Sequence, residues 1–315
     1  MSKYREHLPQ LDGGAFLTDG GLETTLIFHD KLDLPYFAAF CLMKDVNGIE
    51  ALRRYYATYA SIAIANRVGF VLESPTWRAN PDWGEKLGYS KAGLYEVNRT
   101  AIALMRELRE KYETQGSPMV ISGCVGPRGD GYDPGQVMSE AEAEAYHKEQ
   151  IGFFRDSDAD LVTALTITNT PEAIGIVRAS RNLRMPVVIS FTLETDGCLP
   201  TGQSLQEAID VVDCSTDRAT AYYMINCAHP THFERVIANS EPWVKRLRGL
   251  RANASKLSHE ELNEAPALDE GNPHELAEQY ASLLRRHPHI NVLGGCCGTD
   301  HRHIEEIARH CEAAQ

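Results

Sequence analysis

Three thiols, Cys227, Cys296 and Cys297, are the side chains of this 315-residue chain best suited to chemistry. Three thiolates suit zinc and leave a fourth coordination position for a substrate. Cys296 and Cys297 are adjacent, and neighbours on a regular strand point to opposite faces, where they cannot share one ion. The flanking Gly294, Gly295 and Gly298 permit backbone angles closed to other residues, so the chain can turn and bring both sulfurs together. Spacing alone also fits two buried small side chains, or a vicinal disulfide with a redox role. The other thiols lack such a setting. Cys41, Cys198 and Cys214 stand alone in helix or loop sequence, Cys311 lies near the end of the chain, and Cys124 follows a strand as a packed small side chain.

Thiols so far apart in sequence meet only if the fold carries them to one place. Short apolar β-type runs alternate with helical patterns throughout, and each run ends in glycine or polar residues. The expected strands are residues 15–18, 70–73, 119–123, 161–165, 187–191, 221–226, 248–252 and 292–294. A helix follows each. Between 49 and 66, Ile49, Leu52, Tyr56, Tyr59, Ile62 and Ala63 recur at helical spacing. Ser139 followed by Glu140 and Glu142 marks a capped helix start, and Asn272-Pro273 puts proline at the first helical position. Eight right-handed crossovers predict an α/β fold, a closed (β/α)8 TIM barrel forming a single domain over residues 1–315, with an open doubly wound sheet as the alternative. Active sites of such barrels form at the C-terminal strand ends. Cys227 ends the sixth unit and Cys296-Cys297 the eighth.

Composition narrows the function classes. A net charge of −13 opposes binding to nucleic-acid phosphates. The best basic run, 245–251, reads as a helix end entering a strand. No stretch is apolar enough for a membrane span, and the polar start Met1-Ser2-Lys3-Tyr4 lacks a secretory core, so a cytoplasmic protein is expected. Eight cysteines in a reducing compartment argue against a disulfide framework. The segment from Gly126 to Gly131 lacks the ending of a phosphate loop and reads as a turn-rich loop. His287, His289, His301 and His303 are expected on a solvated surface rather than around a second metal, and no nucleophile elbow supports serine hydrolysis.

The combination of Asp19-Gly20-Gly21, Asn226-Cys227 and Gly294-Gly295-Cys296-Cys297-Gly298-Thr299 resembles the zinc-dependent homocysteine S-methyltransferase family over nearly the whole chain. Glu73 with Thr76, Gly126-Pro127, and Ser190-Phe191-Thr192 with Gly202 and Ser204 add to the match. The resemblance implies that Cys227, Cys296 and Cys297 bind Zn2+ and that an acceptor thiol takes the fourth position. It implies methyl transfer from a sulfonium or ammonium donor, S-methylmethionine or S-adenosylmethionine being favoured. Homocysteine, giving methionine, is the leading acceptor. Asp19, with Gly20, is implied to contact the acceptor or its amino group. Thr24 and Thr76 could donate to a substrate carboxylate; Glu73, Ser190 and Asn226 complete the set, Asn226 also as an orienting group for its loop. Trp77, Phe37, Tyr36 and Glu194 are candidates to hold the cationic donor.

One departure bears on the acceptor. Where the family has a Glu-Thr pair whose carboxylate engages the amino group of homocysteine, this chain has Leu165-Thr166. Glu73, Glu194 or Asp196 could substitute; otherwise the acceptor is a different thiol. Two rivals are a zinc-dependent hydrolase on the same barrel, with metal-bound water as nucleophile, and a thiol sensor cycling with a disulfide. The chain ends soon after the eighth unit, so the folate and cobalamin modules of large methionine synthases are not expected and transfer would be direct. The implied partners are a small-molecule thiol, a cationic methyl donor and, compatibly with the sequence, a second copy of the chain.

Overall fold

Parallel strands covered by helices are buried on both faces and read as nearly continuous apolar runs. In the computed structural model, which describes residues 2–238, 241–265 and 267–312, the eight runs form β1 (Phe16–Leu17), β2 (Gly69–Glu73), β3 (Met119–Val125), β4 (Leu161–Ile167), β5 (Val187–Thr192), β6 (Tyr222–Asn226), β7 (Leu247–Ala252) and β8 (Val292–Gly295). All pair in parallel and in sequence order, and β8 returns to β1, closing the barrel. The open-sheet alternative is excluded. Side chains of residues 263, 311 and 312, including Cys311, lie outside the described set.

The helices start where local chemistry satisfies their first amides. Val46–Ala65 begins before its first periodic apolar residue, because the Asp45 side chain accepts from Gly48 N. Glu140–Arg155 carries the full capping box between Ser139 and Glu142, and Pro273–Arg286 is capped by Asn272. Among the described residues, no helix is long and apolar enough to cross a membrane. The basic run enters β7 through a 3-10 turn at Pro242–Arg246, as its sequence suggests, but Arg251 ends fully buried.

Two apolar layers result. One lies between strands and helices and includes Leu17, Phe70, Leu72, Ile121 and Ile189. The other fills the barrel itself: Phe16, Val71, Val120, Leu161, Val188, Met224 and Val292, plugged from below by Leu8 of the N-terminal segment. Backbone amides of Lys3 and Tyr4 pin that segment to Asp160, each at 2.8 Å. The expectation of a solvated histidine cluster is corrected at two positions. His287 and His303 are buried, and His303 bridges Asp300 and the Glu270 carbonyl, a structural use of both ring nitrogens.

Candidate active site

Strand side chains alternate faces, so the residues that follow the apolar plug by two positions point into the same interior one level higher. At that level the sequence turns polar: Glu73, Ser122, Thr163, Ser190, Asn226 and Arg251, all buried. Four of them pair directly with one another. Ser122 and Thr163 share a hydrogen bond of 2.7 Å, and Ser190 Oγ donates to Asn226 Oδ1 at 2.6 Å. Burial raises the Glu73 carboxyl to about 7, against the pull of Arg251 and of hydrogen bonds from Ser122 and Thr163.

Above this layer the three thiols converge, their sulfurs lying within 4.8 Å of one another. Cys227 reaches the cluster by leaving β6 in the left-handed region, with φ of 53°. The Cys296-Cys297 turn is tied to the end of β7: Cys296 N donates to Ala252 O (2.8 Å) and Ala254 N to Cys297 O (3.0 Å). Its glycines act differently from one another. Gly298 supplies a φ of 78°, whereas a side chain on Gly294 or Gly295 would collide with Thr18 or Thr299.

Asn226 joins the polar layer to the thiols. Its Nδ2 donates to Thr166 Oγ1 (2.8 Å) and lies 3.3 Å from Cys227 Sγ and 3.9 Å from Cys296 Sγ, while its Oδ1 accepts from Thr166 N at 2.9 Å. Thr166 stands at an irregularity of β4 between Ala164 and Ile167, with φ of 62°. A β-branched residue held there costs about 1–3 kcal/mol, and strain of that kind clusters at functional sites. Hydrogen bonding from Cys227 and Cys297 pulls the Cys296 thiol well below its ordinary range, and Cys227 is pushed well above it, chiefly by its bond to Cys296. All three ligand atoms are sulfur, some half-buried and oriented by an amide donor, which fits a thiophilic divalent ion.

The remaining candidates fall into place unequally. Asp19 is buried and its carboxylate is taken: Arg251 Nη2 lies 2.8 Å away and Tyr55 donates to it at 3.0 Å. A Cβ on Gly20 would press on Thr299 O and Tyr59 Oη, both at 2.9 Å. Thr24 Oγ1 accepts from Gly298 N and donates to Gly21 O, and Thr76 Oγ1 donates to Cys124 O at 2.7 Å. These hydroxyls are used within the loops. Trp77 donates to Leu165 O, and one of its faces carries the Arg78 guanidinium at 4.0 Å. Tyr36 and Phe37 are about half exposed, Asp196 is exposed, and Glu194 bonds His259 at 3.1 Å. Cys124 is packed and buried as expected.

Four residues enter the site without a signal in the sequence pattern. Tyr132 lies in the turn-rich loop after β3; its hydroxyl is 3.4 Å from Cys297 Sγ and its ring stacks on His259 at 4.0 Å. His259 Nε2 donates in turn to Cys227 O at 2.6 Å. Arg251 hides in the basic run, where only the strand register shows that it points inward. Glu23 follows Asp19-Gly20-Gly21 in the first turn after β1 and is half-buried.

A closed parallel barrel whose C-terminal mouth gathers three thiols has the architecture of a TIM-barrel enzyme with its site on the strand-end loops. The chain belongs to the homocysteine S-methyltransferase family, whose model matches residues 16–311, and is a methyltransferase. It is 23% identical to homocysteine S-methyltransferase 4 of Zea mays, over 96% of this chain and 91% of the relative. It is 22% identical to a selenocysteine Se-methyltransferase of Brassica oleracea var. italica, over 94% and 88%. Among solved structures, the metallated homocysteine methyltransferase MmuM of Escherichia coli superposes with a TM-score of 0.74 at 18% identity, covering 96% of this chain and 98% of that one, which shows a shared fold.

Proposed function

We propose that residues 1–315 act as one homocysteine-binding domain that moves a methyl group from a sulfonium or ammonium donor to homocysteine, using zinc held by Cys227, Cys296 and Cys297. S-Methylmethionine and S-adenosylmethionine are the favoured donors. The observation that carries this reading is the convergence of three sulfurs at the mouth of a barrel of this family. Zinc bound there would supply the Lewis acidity that favours the thiolate form of an acceptor sulfur at neutral pH.

The chain's own residues do the rest. Asn226 directs its amide at Cys227 and fixes the strained backbone of Thr166, so the sulfurs are arranged before substrate arrives. Ser190 holds Asn226, and Thr24 and Thr76 lock the β1 and β2 loops that wall the pocket. Tyr132 shields the cluster from water on the Cys297 side. The acceptor proton leaves to solvent; the acceptor sulfur then attacks the methyl carbon in line, the new S–C bond forms as the donor's bond to methyl breaks, and the donor departs neutral. Incubation of the purified protein with homocysteine and each donor, read by mass spectrometry, should give methionine. Failure with every thiol, combined with hydrolysis of a test ester, would replace this reading by the hydrolase.

A further inference from the structure

An amino-acid thiol brings an α-ammonium group into the mouth, and a pocket that selects it needs a carboxylate at the depth of the sulfurs. Leu165 removes one such group. The structure accounts for most of the others nearby. Asp19 is engaged by Arg251 and Tyr55. Glu73 lies one level down, in the interior layer with Ser122 and Thr163. Glu194 bonds His259, and Glu172 accepts from Arg128 N, faces His147 and receives Asn169. Asp130 is half exposed and folded into its own turn through Tyr132 N.

Glu23 differs from these in its place, on the turn that packs against the double-cysteine turn. Its carboxylate meets its own backbone N–H and makes no ion pair among the described residues. Its turn is clamped against the double-cysteine turn on both sides: Gly21 is packed so closely that an added Cβ would stand 2.5 Å from Cys296 O, and Thr24 Oγ1 accepts from Gly298 N at 3.3 Å. That contact sets the turn carrying Glu23 against the turn carrying Cys296 and Cys297, and Glu23 is half-buried where Tyr36 and Phe37 are exposed. Its electrostatic neighbours are Cys296, Asp19, Arg251 and Arg78. Burial raises its carboxyl to about 7.

Building on the methyltransferase reading, we propose that Glu23 binds the α-ammonium group of the amino-acid acceptor, the task an acid at position 165 would otherwise perform. Specificity then rests on the β1 loop, and the site selects thiols bearing an amino group over those without one. Calorimetric titration of zinc-loaded wild-type and Glu23→Gln protein with homocysteine and with 4-sulfanylbutanoic acid, its counterpart lacking the amino group, tests this. Glu23→Gln should weaken homocysteine about tenfold or more and leave 4-sulfanylbutanoic acid within about twofold, the loss expected for one charge-assisted contact. Zinc content and circular dichroism should stay at wild-type values, and Glu23→Asp should fall between. Equal homocysteine binding by wild type and Glu23→Gln, or equal weakening of both thiols, would overturn the assignment while leaving the parent reading intact. A wild-type protein that binds neither thiol would remove both, so the wild-type isotherm tells the two failures apart.

Discussion

Asp19 and Arg251 face each other inside the barrel at 2.8 Å, each less than a tenth exposed, and the pair joins the first strand loop to the seventh strand directly beneath the thiols. Arg251 Nη2 also approaches Gly20 O at 3.3 Å and its Nε donates to Gly295 O at 3.2 Å, so one guanidinium ties three strand ends together. Burial works against its charge, but Asp19 and Glu73 outweigh it and keep the group protonated.

Removing one partner of such a pair leaves an uncompensated buried charge. Arg251→Met should therefore lower unfolding free energy by about 3–5 kcal/mol, and Asp19→Asn with Arg251→Met should recover a large part of it. Urea denaturation of the two single variants and the double variant provides the cycle. Additive losses would show that the pair contributes nothing as a pair.

Glu73 sets a pH dependence whose sign is fixed by its environment. Its folded value of about 7 lies above the ordinary 4.5, so the folded state retains a proton that the unfolded chain releases. Its stabilising contribution is complete below about pH 4.5 and is lost as pH rises towards 7, by roughly 3 kcal/mol. Glu73→Gln should reduce that slope in pH-dependent urea titrations and leave the share of Glu23, whose carboxyl is raised to the same value; an unchanged slope would assign it to another group.

Asn226 is predicted to tune metal affinity through its contacts to Cys227 Sγ and Thr166. Asn226→Ala should weaken zinc binding by about 10–100-fold without changing its stoichiometry, as outer-shell substitutions do. Competition with a chromophoric chelator measures this. Wild-type affinity in the variant would reduce Asn226 to a packing role.

Tyr132 makes a kinetic prediction. Its hydroxyl lies 3.4 Å from Cys297 Sγ and its ring rests on His259. In metal-free reduced protein, Tyr132→Ala should speed alkylation of Cys297 by iodoacetamide, followed by peptide mapping, and Tyr132→Phe should speed it less. Equal rates in all three proteins would mean that Tyr132 shields nothing.

Periodicity and strand-end glycines were enough to read the barrel, because each strand is a short apolar run and each helix start carries its own cap. The thiol cluster was legible for a related reason: Cys227, Cys296 and Cys297 sit at strand ends, and the barrel rule brings strand ends together. What escaped depends on direction rather than position. Arg251 looks like part of a surface run until β7 is registered against β6 and β8. Tyr132 comes from a loop whose path no pattern specifies, and the pairing of Asp19 with Arg251 joins residues 232 positions apart that sequence spacing does not link. Thr166 takes an unfavourable backbone angle only because Asn226 supports it.

The central claim is a zinc ion held by three cysteines in a methyltransferase. Elemental analysis of protein purified under reducing conditions tests it most directly, with Cys296→Ser assayed beside the wild type. About one zinc per chain is expected in the wild type, with both the metal and homocysteine methylation lost in Cys296→Ser. A metal-free wild-type protein that is folded and fully active would contradict the account.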